Sequence, residues 1–225
     1  MTLEENNNKG GVALTEATKT RYNRIAPIYN IIESIPEQFF KALRKKLLAQ
    51  AKGKILEVGV GTGKNFSYYP KGADVTGIDI ADQMISIARE NALKLGLSFN
   101  LQEGDAQDLK FSDNSFDTVV ATFVFCSVPD PIKGLKEIHR VVKRDGQVLF
   151  LEHVRIDEPV IGWIMDRMNA LFVRMLGANI NRRTVENVKK AGLTIKSLEH
   201  FGPMKMVKMI IAKPSKTIEA VGRDQ

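Results

Sequence analysis

Cysteine is all but missing from this 225-residue chain, with Cys126 the one example. A lone thiol excludes an internal disulfide framework and a cysteine-built zinc site, and it fits a reducing compartment. Long apolar runs are missing as well. No stretch reaches the roughly 18 to 20 residues that a membrane-spanning helix needs, and the longest candidate, residues 118–129, reads as a strand and its following loop. The first residues, Met1 to Gly11, are polar and acidic and do not read as a secretory signal. No internal repeat is visible. Acidic residues are outnumbered, 26 Asp and Glu against 33 Lys and Arg, giving a net charge of +7 and a pI near 9.4. That balance favours an anionic partner, nucleic acid or an anionic membrane surface, or else is simply a solvated face. Hydrophobic residues make up 44%, enough for a sizeable core, and the length suits one α/β domain with a modest extension.

What is there alternates between strand and helix patterns. Residues 1–17 are expected to be poorly ordered, and Pro27 to break or kink any helix across 22–30. Residues 36–50 read as a basic amphipathic helix, with Phe39, Phe40, Leu43, Leu47 and Leu48 at helical spacing and Lys41, Arg44, Lys45 and Lys46 on the other side. Strands are expected at 54–58, 74–79, 98–102, 118–122 and 147–151. Helices are expected at about 63–69, at 82–94, and after Pro131 with Asp130 as cap. Residues 159–191 interrupt the alternation with an apolar segment at 161–176 and a short helix at 184–191. Two last strands, 194–200 and 207–213, read as an antiparallel pair. The implied architecture is a Rossmann-like parallel sheet with helices on both faces. Its divisions are a helical lid segment at 1–50, the α/β domain at 51–213 with a helical insertion at about 159–191, and a flexible tail at 214–225.

The densest chemical signal is Glu57-Val58-Gly59-Val60-Gly61-Thr62-Gly63 at the end of the first strand. Gly59, Gly61 and Gly63 suit a backbone that turns tightly and lies against a ligand. Asp79, at the end of the second strand, is placed to hydrogen-bond a ribose hydroxyl pair. A dinucleotide site uses G-x-G-x-x-G to hold a pyrophosphate, whereas a carboxylate at Glu57 would face that group unfavourably. It suits a cationic sulfonium with a free amino group, which points to S-adenosylmethionine. The pattern resembles motif I of the class I methyltransferases. By that resemblance Asp105, with the Ala106 backbone, would receive the adenine amino group, and Met84 would pack on adenine or else in the core. Phe123, in the Thr122–Ser127 run at the end of the fourth strand, would face the methionine part of the cofactor and the acceptor. The N/D-P-P-Y/F motif that grips a flipped base is absent there, and the apolar wall in its place favours an apolar or lipid-like acceptor.

Polar groups near the expected site are few. Tyr22 and Tyr29 are candidates for closing over the cofactor and holding an amine, and His153 for a base or a structural hydrogen bond. Arg182 and Arg183 suit a lipid phosphate or a solvated surface, and Arg155 joins them as a substrate-binding candidate. No metal site is expected.

The resemblance then narrows. Tyr22–Tyr29, Leu56–Asn65, Ser115–Asp130, Leu151–Arg155 and Asn179–Asn187 are similar to the soluble bacterial phosphatidylethanolamine N-methyltransferases and, more loosely, to the ubiquinone and menaquinone methyltransferases. Asn30 stands where that family usually has aspartate, and Ala81 where a helix-capping serine is common. The resemblance implies a seven-stranded sheet of order 3-2-1-4-5-7-6. It also implies N-methylation of phosphatidylethanolamine by a cytoplasmic protein lying peripherally on the inner face of the membrane. The alternatives are a quinone C-methyltransferase, a small-thiol S-methyltransferase, or a non-catalytic lipid- or RNA-binding protein. An anionic membrane surface and a phospholipid are the expected partners, nucleic acid is not favoured, and homo-oligomerisation is left open.

Overall fold

The computed structural model describes residues 3–32, 34–176 and 178–215. The expected tail therefore lies, beyond Ser215, outside the described residues. Two helices open the chain, α1 (Leu3–Ile32) and α2 (Ser34–Leu48). Seven strands follow: β1 (Lys54–Val58), β2 (Asp74–Asp79), β3 (Asn100–Glu103), β4 (Phe116–Thr122), β5 (Val142–His153), β6 (Leu193–Phe201) and β7 (Val207–Pro214). Between them lie α3 (Asp82–Lys94), α4 (Pro131–Val141), α5 (Pro159–Leu176) and α6 (Thr184–Lys190).

The strands form one sheet of order β3-β2-β1-β4-β5-β7-β6, as expected. All pairs are parallel except β5–β7 and β6–β7. The strand order reverses between β1 and β4, which leaves a crevice beyond their carboxyl ends, where open α/β sheets bind ligands. Strand alternation sorts the core into two layers. Leu56, Val58, Val119, Ala121, Val148 and Phe150 face α4 and α6, meeting Leu135, Ile138, Val141 and Val188. Ile55, Val75, Val120, Leu149 and Leu151 face α2 and α3, meeting Phe40, Leu43, Leu47, Ile85 and Ala88.

Several expectations need correction. Residues 3–17, expected to be poorly ordered, belong to α1, and that helix runs on through Pro27. The expected 63–69 helix shrinks to a single 3-10 turn, Phe66–Tyr68. β5 begins five residues early because Val142 pairs with Phe116 before a register shift. The α4 cap is as read, with Asp130 Oδ1 accepting from the Ile132 and Lys133 amides at 3.0 Å each.

Candidate functional site

The crevice holds a cleft of about 940 Å³, open mouth included, within the range of small-molecule sites. Its floor is the glycine turn after β1. Gly59 and Gly61 both have positive φ, at 71° and 53°. A Cβ on Gly59 would stand 2.4 Å from Val124 Cγ2, so the residue keeps the β4 loop close. A Cβ on Gly61 would meet nothing within 4 Å. It would point into open space on the cleft wall, the cradle a bound ligand needs. Gly63, with φ 86°, does not line the cleft; a Cβ there would strike Phe66 at 2.4 Å, so its part is to seat that ring.

Asp79 sits on the wall at the end of β2. Its Oδ2 accepts from Gly61 N at 2.9 Å and its Oδ1 from Ala81 N at 3.0 Å. Burial pushes its pKa above the ordinary carboxylate value, with the Ala81, Gly61 and Ile80 amides opposing the shift. Each oxygen keeps a lone pair for a further donor. Asp105 lies beside it, its Oδ1 accepting from Gln107 N at 2.8 Å. Met84, Ile80, Ala106, Val128 and Pro129 supply apolar wall. Phe123 lines the cleft just after β4 and has φ 59°. A bulky side chain in the left-handed region is strained and persists only where its surroundings fix it.

α1 crosses the mouth of the cleft. Tyr22 and Tyr29 line it, rings 6.5 Å apart in an edge contact. The Tyr22 hydroxyl lies 2.6 Å from Ser127 Oγ, and Lys64 Nζ lies 5.0 Å over the Tyr29 ring. Asn23 bonds Asp82 at 2.6 Å, Thr15 bonds Gln107 at 3.1 Å, and Lys19 pairs with Glu103.

Five sequence candidates fall outside the cleft besides Gly63. Glu57 does not face it. It shares the Ile55 face of β1, toward α2, and is 1% exposed. There its Oε1 accepts from Asn65 Nδ2 at 2.7 Å and its Oε2 from the Tyr69 hydroxyl at 2.8 Å. Burial raises its pKa to about 7, against the pull of those two bonds. His153 is absent from the wall for the same reason of alternation. It leaves β5 on the Leu149 and Leu151 face, stacked behind Phe123 at 4.6 Å and against Phe40 at 5.4 Å. Arg155, Arg182 and Arg183 are brought together, but in a second, smaller pocket. Arg155 pairs with Asp166, Arg183 with Glu186, and Arg182 Nη2 donates to the Val128 carbonyl at 2.6 Å.

Sequence reasoning missed Arg44. It was read as part of the basic side of its helix, yet it is 4% exposed and lines the cleft. Its Nη1 donates to Asn65 Oδ1 at 2.8 Å and to Thr122 Oγ1 at 2.7 Å, and its guanidinium lies 5.2 Å from the Phe123 ring. The signal was one-turn spacing: Arg44 is flanked by buried Phe40, Leu43, Leu47 and Leu48. Gln107 was missed as well; it ties Asp105 to Thr15 and receives the Asp130 amide at 3.0 Å. Cys126 lies behind the wall, and burial pushes its thiol up to about 12, so it is inert at neutral pH.

The comparisons agree with this geometry. A family model described as a methyltransferase domain matches residues 56–150. A phosphatidylethanolamine N-methyltransferase of Cereibacter sphaeroides is 38% identical over 127 residues, covering 56% of this chain and 62% of that one, so the match spans under two-thirds of that relative. A demethylmenaquinone methyltransferase of Lactobacillus johnsonii is 33% identical over 174 residues, 71% of each chain. Among solved structures, the PH0226 protein of Pyrococcus horikoshii superposes with a TM-score of 0.66 at 24% identity, covering 87% of this chain and 99% of that one. The chain belongs to the class I S-adenosylmethionine-dependent methyltransferases. Its cofactor is S-adenosylmethionine, and the open cradle at Gly61 beside two wall carboxylates fits that group.

Proposed function

We propose that this methyltransferase acts on the amine of phosphatidylethanolamine presented at an anionic membrane surface. The observation that carries the reading is an apolar stripe left uncovered on α5. Val160, Trp163, Ile164, Met168 and Leu171 are 71, 59, 47, 39 and 49% exposed. They recur at helical spacing, with Arg167 5.4 Å over the Trp163 ring. A small soluble acceptor requires no such surface. No helix among the described residues is long and apolar enough to cross a membrane, so the contact is peripheral. On α2, by contrast, Phe40, Leu43, Leu47 and Leu48 are packed into the core. Its exposed side carries Lys41 and Lys45, Lys46 paired with Glu199, and Phe39, which is 53% exposed. The similarity to the phosphatidylethanolamine enzyme favours an amine acceptor.

In this reading Asp79 holds the ribose hydroxyls, and Asp105, Ala106 and Met84 hold adenine. Gly59 and Gly61 let the backbone approach, and Phe123, Tyr22 and Tyr29 enclose the reacting end. Bound S-adenosylmethionine supplies an electrophilic methyl group. Tyr22, Tyr29 and Phe123 would hold the acceptor amine beside that methyl group, and the acceptor's proton would leave to solvent. An ammonium with a pKa of roughly 10 must be deprotonated first. His153 lies behind Phe123 and is not offered as the base. The Tyr22–Ser127 hydroxyl pair can accept the amine's hydrogen bond, and positioning supplies the remainder.

A quinone C-methyltransferase is the second reading, favoured by the demethylmenaquinone relative matched over 71% of its length. Labelled cofactor with liposomes containing or lacking phosphatidylethanolamine, and a third set carrying a demethylated quinone, separates the two. Label should enter the phospholipid. Label in the quinone alone overturns the amine reading and leaves the cofactor site untouched.

A further inference from the structure

The smaller pocket, about 320 Å³, lies where the end of β5, the start of α6 and β7 meet. Its lining carries four cations, Arg155, Arg182, Arg183 and Lys208, against two carboxylates, Asp157 and Glu186; with Asp166, which pairs with Arg155 beside the lining, the surplus is one positive charge. Lys208 is buried, yet its partner at 3.1 Å, Asp157, has a side chain 83% exposed. Arg182 Nε is buried with no acceptor. Thr184 is 1% exposed, and its Oγ1 also has no partner. Buried polar groups are normally satisfied, so two unmet ones on residues of the same small pocket ask for an explanation.

The donors define the missing group. Guanidinium and ammonium groups can only donate, and a threonine hydroxyl can donate as well. A tetrahedral anion with several acceptor oxygens satisfies all of them together. Asp157, Glu186 and Asp166, the partners of Lys208, Arg183 and Arg155, have side chains 83, 54 and 41% exposed and are placeholders that such an anion can displace. The pocket also adjoins the apolar helix. A Cβ on Gly162 would stand 2.3 Å from Arg155 Nη1, so α5 passes directly over Arg155.

We propose that this pocket binds a phosphate group through Arg155, Arg182, Thr184 and Lys208. Its source is either a phospholipid headgroup or a free phosphate. The headgroup source rests on the lipid reading above; the phosphate site does not.

The test is calorimetric titration of the full-length protein, without cofactor, using inorganic phosphate and separately glycerophosphoethanolamine, a diester with no acyl chains. Both titrations are repeated on Thr184→Val and Lys208→Met. Thr184→Val removes an oxygen that no protein group uses, so melting is unchanged while affinity falls about tenfold. Lys208→Met gives a loss at least as large. Saturable binding of both probes, weakened in both variants, identifies a headgroup site. Binding of inorganic phosphate alone assigns the pocket to free phosphate and removes the headgroup. No saturable binding, or binding that neither variant weakens, overturns the proposal. Label transfer into phosphatidylethanolamine is read separately on the same preparations, so failure of the lipid reading and failure of the pocket are distinct results.

Discussion

Replacing Glu152 by glutamine isolates the least comfortable charge in the fold. The carboxyl is fully buried on the α4 face of β5. Its Oε1 accepts from Val124 N at 3.0 Å and Phe125 N at 3.2 Å, and its Oε2 has no partner. Burial pushes its pKa from 4.5 to about 8, with the two amides pulling the other way. The folded protein therefore holds this proton more tightly than the unfolded chain. The associated stability is fully present below about pH 4.5 and drains away as pH rises through about 8. Between about pH 6 and pH 9 the linkage relation gives a loss of about 2–3 kcal/mol from this one group. Glutamine keeps an oxygen for Val124 and Phe125 and cannot ionise, so it loses none of that. Glu57, raised to about 7, acts with the same sign in both proteins and cancels in the comparison. Denaturant unfolding at four pH values across the range should show the variant gaining about 2–3 kcal/mol on the wild type. Parallel stability profiles would refute the reasoning, because they would mean that the folded protein does not suppress ionisation of Glu152.

Two further substitutions probe the site. Gly59→Ala places a Cβ against Val124 at positive φ and should cost about 2–4 kcal/mol in thermal unfolding. Gly61→Ala meets no protein atom and should cost about 1–2 kcal/mol, yet reduce cofactor affinity at least about tenfold by equilibrium dialysis; equal effects of the two on stability would remove the distinction. Arg44→Met takes a donor from Asn65 and Thr122, leaving a buried acceptor unmet. It should lower stability by about 1–3 kcal/mol and weaken cofactor binding, and an unchanged dissociation constant would show that α2 does not shape the cleft.

The sheet was legible because its signals are local. Alternation of β-rich runs with 3.6-periodic helices gives the element order, and the glycine turn after Glu57 marks the carboxyl end of β1, beside the switch point between β1 and β4. Gly59, Gly61, Asp79, Met84, Asp105, Ala106 and Phe123 all reach the cleft because each lies on or just after a strand's carboxyl end, or opens the following helix. Glu57 and His153 failed for a reason that strand periodicity contains. Each lies on the α2 face of its strand, and a one-residue difference in position turns a side chain from the crevice into the core.

What could not be read is whatever depends on which helix lies over which edge. Ala81 begins α3 with no side-chain cap of its own, and from sequence it is only a departure from a common serine. In the fold Asn23 of α1 stands in for it, its Oδ1 accepting from Gln83 N at 3.2 Å while its Nδ2 donates to Asp82. The cap that a local serine would have provided comes from 60 residues away in the chain. A serine at 81 would serve α3 alone. Asn23 serves α3 and also fixes α1 over the cleft, next to Tyr22 and one turn after Lys19. The missing cap is thus part of how the roof is attached, and no window of sequence around Ala81 contains that information.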